Sequence, residues 1–273
     1  MECVVILDEK EVSFEVEGNF SNGRGGVLFD KSYLNSKKID LVNNGWDIKE
    51  ILNKREFDKL YTSIKKSLNE IIENKFGSIN EVELEDYHEI IDTMDLHNHV
   101  TSITKNFTND NFDFSLDIIT KRVEEALGLK LDSYNPDLGK SHVQLRISRP
   151  NSLDINPPHR DSYLTYYENV INLWIPIAGC DDKTILPVAT GSHKYEEEEL
   201  LKTESKGAKI NGNSYMVPCI LSYKNEPLKM NRPALNYGEA IVFTPYLIHG
   251  AAMNMSSKTR MSLELRLTIL KDI

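Results

Sequence analysis

His159-Arg160-Asp161 and, 88 positions after the aspartate, His249 are the residues of this chain best suited to chemistry. Two imidazoles and one carboxylate can cover one face of a ferrous ion and leave the opposite positions open, which is where oxygen chemistry takes place. Arg260 follows His249 by eleven residues. Its planar cationic fork matches carboxylate geometry and could hold the far end of an organic acid lying on the metal. If these four side chains meet in space, the chain carries an oxygenase site.

Each piece alone has an ordinary reading. With seven histidines in the chain, one His-x-Asp triplet is a common accident. His159 also reads as a surface residue behind Pro157-Pro158, and His249 as a buried imidazole satisfied by a neighbour. Context favours the metal. The two prolines impose an extended entry, and in a strand His159 and Asp161 share a side because side chains alternate. His249 follows the apolar strand Ala240-Ile241-Val242-Phe243, which Gly238-Glu239 introduces by a turn. In the last strand, RMSLELRLTI, Arg260, Ser262, Glu264 and Arg266 form one face and Met261, Leu263, Leu265, Leu267 and Ile269 the other. The polar face meets water, or it looks into a barrel where Arg260 and Ser262 bind a carboxylate.

The elements that must position these residues fall into two halves. Residues 1–35 alternate and turn like β structure, so 1–40 reads as an N-terminal β extension. Residues 41–135 read as a helical buttress. Apolar residues recur at three- and four-residue steps over 46–76, and further helical stretches are expected near 80–97 and 112–128, the latter with Asp113 and Ser115 as possible caps and Gly128 as its close. From 136 the pattern turns to short strands, expected at 142–148, 170–177, 185–189, 214–222, 240–244, 247–252 and 260–269. Helices first and strands after fit a β-sandwich or barrel buttressed by helices, a single domain over 1–273. Residues 195–235 carry weak strand signals and suit a lid-like insertion. His97-x-His99 could bind a metal on a strand, but no third ligand is apparent and the segment reads as a helix end.

Composition bounds the function. The net charge of −10 argues against non-specific nucleic-acid or anionic-membrane binding, which needs clustered Lys and Arg. No apolar run approaches a membrane span of roughly 20 residues. The start, MECVVILDEKEV, is acidic where a signal peptide is basic, and the three cysteines (Cys3, Cys180, Cys219) lack a C-x-x-C spacing. They read as free thiols in a reducing, cytoplasmic compartment, which also suits ferrous iron.

The segments PPHRDSYL, NLWIPI (172–177), LPVATGSHK (186–194) and GEAIVFTPYLIHGAAMNMSSKTRMSLELRL (238–267), with GWDIKEILNKREFDKLYTSI (45–64) before them, resemble the iron(II)/2-oxoglutarate-dependent dioxygenases of the phytanoyl-CoA dioxygenase-like branch. The likeness runs over roughly 40–269, with its motifs in order. Two departures stand out: Thr190-Gly191-Ser192-His193 where the family shows Pro-Gly-Ser-His, and Asp181-Asp182-Lys183-Thr184 where it shows an Asn-Gly turn.

The resemblance implies a mainly β, double-stranded β-helix (jelly-roll, cupin-like) core buttressed by N-terminal helices. It implies Fe(II) held by His159, Asp161 and His249, and 2-oxoglutarate held by Arg260 with Ser262. The strand before the triplet carries His142, Gln144, Arg146 and Ser148 on its polar face; by resemblance Gln144 faces the cosubstrate and Arg146 the substrate. Asn172 and Trp174 lie on a strand crossing the same barrel, with Trp174 either plain core or a wall of the cosubstrate pocket. Arg149 and Tyr163, with Tyr166 and Tyr167, are candidate substrate contacts. The implied reaction uses O2, releases succinate and CO2, and hydroxylates a C–H bond of a small-molecule substrate; Asp161, which related halogenases replace by a small residue, favours hydroxylation over halogenation. The alternatives are a cupin-like metalloenzyme that does not use 2-oxoglutarate and a non-catalytic binding module of the same fold.

Overall fold

Alternation along Arg260–Ile269 separates two interiors. Met261, Leu263, Leu265 and Leu267 are buried against helices on one side of the sheet, while Arg260, Ser262 and Arg266 are buried on the other. A strand sends successive side chains to opposite faces, so one strand serves the core and the site together. The computed structural model describes residues 1–29, 34, 39–77, 82–152, 156–204, 208–210 and 213–270.

The chain opens with β1 (Glu2–Leu7), β2 (Lys10–Glu17) and β3 (Phe20–Asn22), then α1 (Ile39–Asn44), β4 (Trp46–Glu50) and α2 (Lys54–Phe76). Helices α3 (Tyr87–Ile90), α4 (Met94–Thr104) and α5 (Asp117–Leu127) follow, then β5 (Leu131–Asp132), β6 (Tyr134–Asn135), β7 (Lys140–Ser148) and β8 (Val170–Ala178). The rest is β9 (Leu200–Thr203), β10 (Ala208–Ile210), β11 (Asn213–Tyr215), β12 (Ile220–Tyr223), β13 (Glu226–Met230), β14 (Glu239–Phe243) and β15 (Arg260–Ile269).

Two sheets result. The larger runs β4-β14-β8-β15-β7-β6, with β5 also beside β15; the smaller runs β11-β10-β2-β1-β13-β12-β9-β3. This is the jelly-roll class expected, as two sheets and not a closed barrel. The N-terminal hairpin joins the smaller sheet, since β1 pairs in parallel with β13. The outer face of the larger sheet packs on α2 through Leu60, Ile64, Leu68 and Ile72 and on α5 through Ile119, Val123 and Leu127, apolar positions at helical spacing.

Several boundaries differ from the sequence reading. The helix expected from 46 starts at Lys54, where Asn53 and Glu56 form a reciprocal capping box, a strong start signal. Trp46–Glu50 instead pairs with β14, Trp46 opposite Phe243. The stretch 80–97 breaks into a short turn, α3 and α4, the last capped by the Thr93 side chain; residues 78–81 lie outside the described ones. α5 begins at Asp117 and ends at Gly128, whose left-handed φ of 61° closes it, as glycine allows. The expected strands at 185–189 and 247–252 are only isolated bridges, Val188 and His159 each to His249. Pro187 and the positive φ of Gly250 and Ala251 stop regular pairing there. The stretch 214–222 divides into β11 and β12. Residues 200–230, weak in strand signal, supply β9 to β13 of the smaller sheet; 205–207 and 211–212 lie outside the described residues. All three cysteines are free, and no described helix is long and apolar enough to cross a membrane.

Leu265 sits at 1% exposure in the central strand against the helices. Leu265→Ala should cost about 2–5 kcal/mol through the cavity it leaves. Urea unfolding followed by circular dichroism should show a lower midpoint with an unchanged slope.

Candidate active site

His159 and His249 face each other across two backbone hydrogen bonds, His159 N–H to His249 O at 2.9 Å and His249 N–H to His159 O at 3.1 Å. Their ring centroids lie 4.3 Å apart. Each imidazole donates from Nδ1 to the carbonyl two residues before it, His159 to Pro157 at 2.7 Å and His249 to Leu247 at 3.0 Å. Those bonds settle the tautomers and leave both Nε2 lone pairs for a metal. Asp161 Oδ1 lies 3.3 Å from His159 Nε2 and 3.9 Å from His249 Nε2. The three ligand atoms all fall within 4.8 Å of one another, and all three residues are buried.

The triplet does not present its ligands from a continuous strand. Arg160 is extended, but Asp161 opens a short 3-10 turn held by Ser162 N–H to Pro245 O at 3.0 Å. Arg160 points away from the metal side. Fully buried, it ion-pairs with Glu197 and donates to Ser192 O at 2.6 Å and Tyr195 O at 3.2 Å. Lys202 and the Tyr163 hydroxyl complete that carboxylate at 2.8 and 3.1 Å. The middle residue of the triplet therefore pins the ligand-bearing turn to the segment behind it.

Asp161 is fixed from the other oxygen. Its Oδ2 accepts from Arg266 Nε at 2.9 Å and Asn172 Nδ2 at 3.0 Å, and Arg266 Nη2 ion-pairs with the same oxygen at 2.8 Å. Burial alone would raise this carboxyl, but the Arg266 guanidinium and the two imidazoles hold it well below the usual carboxylate range. Arg266 also donates to His142 Nε2, and His142 Nδ1 meets the Tyr167 hydroxyl at 2.5 Å. Burial and the neighbouring guanidinium keep His142 neutral, well below its ordinary value. Burial and the His159 ring likewise push His249 down to about 4; at neutral pH it is an uncharged ligand. Arg266 and His142 carry no expected role from sequence, and Tyr167, expected as a substrate contact, instead supports His142 and Arg266. The signal was present: alternate polar residues on a strand of a covered sheet must be buried, and buried charges must be paired.

Arg260 and Ser262 open the same inner face, with Arg260 Nη1 donating to Ser262 Oγ at 2.9 Å. This leaves the serine hydroxyl free to donate. The Arg260 guanidinium lies 5.9 Å from the Trp174 ring centroid, and Trp174 Nε1 is buried without a hydrogen-bond partner. An orphaned buried donor is costly, and here it stands beside a cationic fork and a hydroxyl. That set fits the distal carboxylate of 2-oxoglutarate. The donor set at the triad, two imidazole Nε2 atoms and one carboxylate oxygen, likewise fits a ferrous ion with open positions. Gln144 sits on the same face opposite Glu264, its Oε1 buried and unpartnered. Asn172 lies against Asp161 and so reaches the metal carboxylate directly.

A cavity of about 260 Å³ opens over the triad. Arg146, Glu264, Arg260 and Arg266 line it from the larger sheet, and His97, Asn98, Thr101 and Lys105 from one face of α4. That helical face was not foreseen; its residues recur at helical spacing, but polar residues at that spacing ordinarily mark a solvated face. His97 is a buried partner of the Tyr87 hydroxyl at 3.2 Å, not half of a metal pair. Tyr163 and Arg149 do not reach this cavity. Tyr163 is engaged with Glu197, and Arg149 donates to the carbonyl of Thr93 at 3.2 Å, securing the start of α4.

A mononuclear metal triad under an arginine-lined cavity on a jelly-roll is the arrangement of an iron(II)/2-oxoglutarate oxygenase. Residues 62–262 match the phytanoyl-CoA dioxygenase (PhyH) family model, and the chain belongs to that family. Its activity is that of an oxygenase, with iron and 2-oxoglutarate as cofactors. No curated protein matches the chain. Similar solved structures include EctD from S. alaskensis with 2-oxoglutarate and 5-hydroxyectoine, 13% identical at a TM-score of 0.49 over 93% of this chain and 83% of that one. They also include the non-heme monooxygenase ThoJ as a nickel complex, 12% identical at 0.45 over 85% and 76%. A third is SnoN, a non-heme alpha-ketoglutarate-dependent epimerase from nogalamycin biosynthesis, 12% identical at 0.43 over 84% and 80%.

Two substitutions probe how the site is held. Gly250 has φ +121°, and a Cβ there would lie 2.3 Å from Pro157 O, the acceptor of His159 Nδ1. Gly250→Ala should disturb His159 and weaken iron(II) binding. Arg266→Gln removes the cation from Asp161 and should lower iron(II) affinity about 10–100-fold, as loss of a supporting partner does. Anaerobic titration of each variant with iron(II), beside a thermal melt to confirm folding, measures both; wild-type affinity in Arg266→Gln would contradict the role given to that residue.

Proposed function

We propose that the protein hydroxylates an unactivated C–H bond of a small metabolite or biosynthetic intermediate. The balance is C–H plus O2 plus 2-oxoglutarate giving C–OH, succinate and CO2. The observation that carries this reading is the division of labour at Asp161: Oδ2 is spent on Arg266 and Asn172, while Oδ1 faces two Nε2 atoms whose rings are already oriented. When bound, ferrous iron with 2-oxoglutarate supplies the activation of O2.

The chain's own residues do the arranging. His159, Asp161 and His249 would hold the metal on one side. Arg260, Ser262 and Trp174 Nε1 would bind the far carboxylate of 2-oxoglutarate, with Gln144 beside it. This orients the cosubstrate before any reaction, the kind of positioning that lowers a barrier. Phe243 packs edge-on against the His249 ring, and Leu186 and Ala252 line the cavity beside the triad, an apolar border that would limit water there. Retention of Asp161 supports oxygen transfer to carbon in place of halide transfer. Arg146 lines the same cavity and is placed to meet substrate; Arg149 and Tyr163 would act from behind, by holding α4 and the ligand turn. The acidic chain, with a cavity rather than a basic surface stripe, supports a small-molecule substrate over a nucleic acid.

Anaerobic addition of iron(II) and then 2-oxoglutarate should produce the visible charge-transfer band of the chelate. Asp161→Ala and His249→Ala should abolish both the band and 2-oxoglutarate turnover. Arg260→Ala should raise the 2-oxoglutarate concentration needed for the band by on the order of a hundredfold, since a bidentate charge-assisted contact is lost. Full turnover in either triad variant would remove the assignment. An iron-binding protein indifferent to 2-oxoglutarate would be a cupin-like metalloenzyme of another kind.

A further inference from the structure

Arg146 and Glu264 form an ion pair that leaves most of its hydrogen-bonding capacity unused. The single contact is one-pronged from the side of the guanidinium, Arg146 Nε to Glu264 Oε2 at 3.1 Å, with the two side chains 23% and 18% exposed. Among the described residues, neither terminal nitrogen of Arg146 makes a hydrogen bond, and neither does Glu264 Oε1. The nearest other cation to Glu264 is Arg266, whose Nη1 is 4.0 Å from the same Oε2. Both residues line the cavity over the triad.

A pair serving only to neutralise an inner sheet face would settle into the fork-to-fork geometry, with two parallel hydrogen bonds. Here the fork's outer edge and one carboxylate oxygen are turned to other use. Partly exposed and lining the cavity, these edges are open to a ligand, and one that meets both gains two charge-assisted contacts. Side by side, they present two donors on a cation next to an acceptor on an anion. The complement is a carboxylate next to an ammonium.

We infer that the substrate is a small zwitterion, a free amino acid or close derivative, whose carboxylate binds the terminal nitrogens of Arg146 and whose ammonium binds Glu264 Oε1. This rests on the oxygenase reading and adds the substrate class. Size agrees: substrate and 2-oxoglutarate must share about 260 Å³, below the ~300–1,000 Å³ of clefts that take drug-sized ligands. The register places the reader near the reaction. Arg146 is opposite Ser262 and Glu264 is two positions further along β15, so the zwitterionic end lies beside the cosubstrate arginine and the rest of the molecule remains for the metal.

The test uses the anaerobic iron(II)/2-oxoglutarate complex of the full chain and a defined panel. The panel holds the protein amino acids, the 2-hydroxy acids that keep the carboxylate but replace the ammonium by hydroxyl, and the amino-acid amides that keep the ammonium but lose the carboxylate. The readouts are a shift of the visible band and stimulated succinate release in air. At least one free amino acid should shift the band, with its hydroxy acid and its amide on the order of tenfold or more weaker, a loss of about 1.4 kcal/mol or more. Arg146→Gln should weaken the amino acid towards its amide. Glu264→Gln should narrow the gap between the amino acid and its hydroxy acid. Amides or hydroxy acids binding as well as amino acids would overturn the inference, as would no response from the panel while the chelate band forms normally. Failure of the band itself overturns the oxygenase reading and this one with it. The wild-type panel needs no variant, so a poorly folding Glu264→Gln does not blunt the test.

Discussion

The buried ion pair between Asp161 and Arg266 is the contact on which the rest of the site depends. A carboxylate at 2% exposure pays a large desolvation cost unless charge and hydrogen bonds surround it. Arg266 supplies a hydrogen bond and an ion-pair contact and Asn172 a second hydrogen bond, all to one oxygen. The consequence is geometric as much as electrostatic. With Oδ2 committed, Oδ1 is the atom left for the imidazoles, and the carboxylate cannot rotate without giving up two hydrogen bonds and the close ion pair. Arg266 is in turn held by His142 and lies over the Tyr167 ring, 4.6 Å from its centroid. Asp161 is therefore oriented by residues outside the triad, Arg266, Asn172 and His142 from three adjacent strands and Tyr167 from a turn.

That arrangement explains why strand β15 can neither slip nor bend freely. A shift of one residue would exchange its two faces, sending Arg260 and Arg266 into the helical core and Leu263 and Leu265 into the cavity. Register with β7 and β8 places Arg266 opposite His142 and Asn172, and Glu264 opposite Gln144 and Trp174. Fold stability and site geometry are set by the same pairing. The helices add no ligand to the triad. Their contribution is to cover the apolar face and, through α4, to close the cavity.

Much of this was legible in the residues, and what was missed has physical reasons. His159, Asp161, His249 and Arg260 stand out because few residue types bind a metal or an acid, and their order along the chain is restrictive. β15 was legible because ten residues of strict alternation have one reading. Trp46–Glu50 was not: Ile48, Ile51 and Leu52 fit a helical stripe as well as a strand, and only pairing with β14 decides between them. The i, i+2 argument for the ligands reached the correct shared side from an incorrect backbone, since Asp161 begins a turn. Arg266 and Glu264 were visible as members of a polar face, but their partners lie more than a hundred residues away in sequence, and no local pattern names them. The strands at 200–230 were faint because each spans only three to five residues, too short to show alternation, although Leu200, Ile210, Ile220, Leu221, Leu228 and Met230 are buried in a core shared with the N-terminal hairpin.

The charges on the inner face follow an order that separates two tasks. Arg260 lies at the start of β15, Glu264 and Arg266 four and six residues on, and Arg146 across the ladder. Arg266 is bound to Asp161 and so carries no net charge into the cavity. Arg260 sits with Ser262 and Trp174, a site for one carboxylate. Arg146 and Glu264 together are neutral, yet each offers its own unsatisfied edge. On the proposed reading, such a cavity would take one dianion at Arg260 and the triad, and beyond it a molecule that is polar without being strongly charged. An anionic substrate with no cationic partner would leave Glu264 facing it with like charge, and an uncharged apolar one would strand both the guanidinium and the carboxylate away from water. Specificity of this kind comes from what the wrong ligand leaves unpaired as much as from what the right one gains.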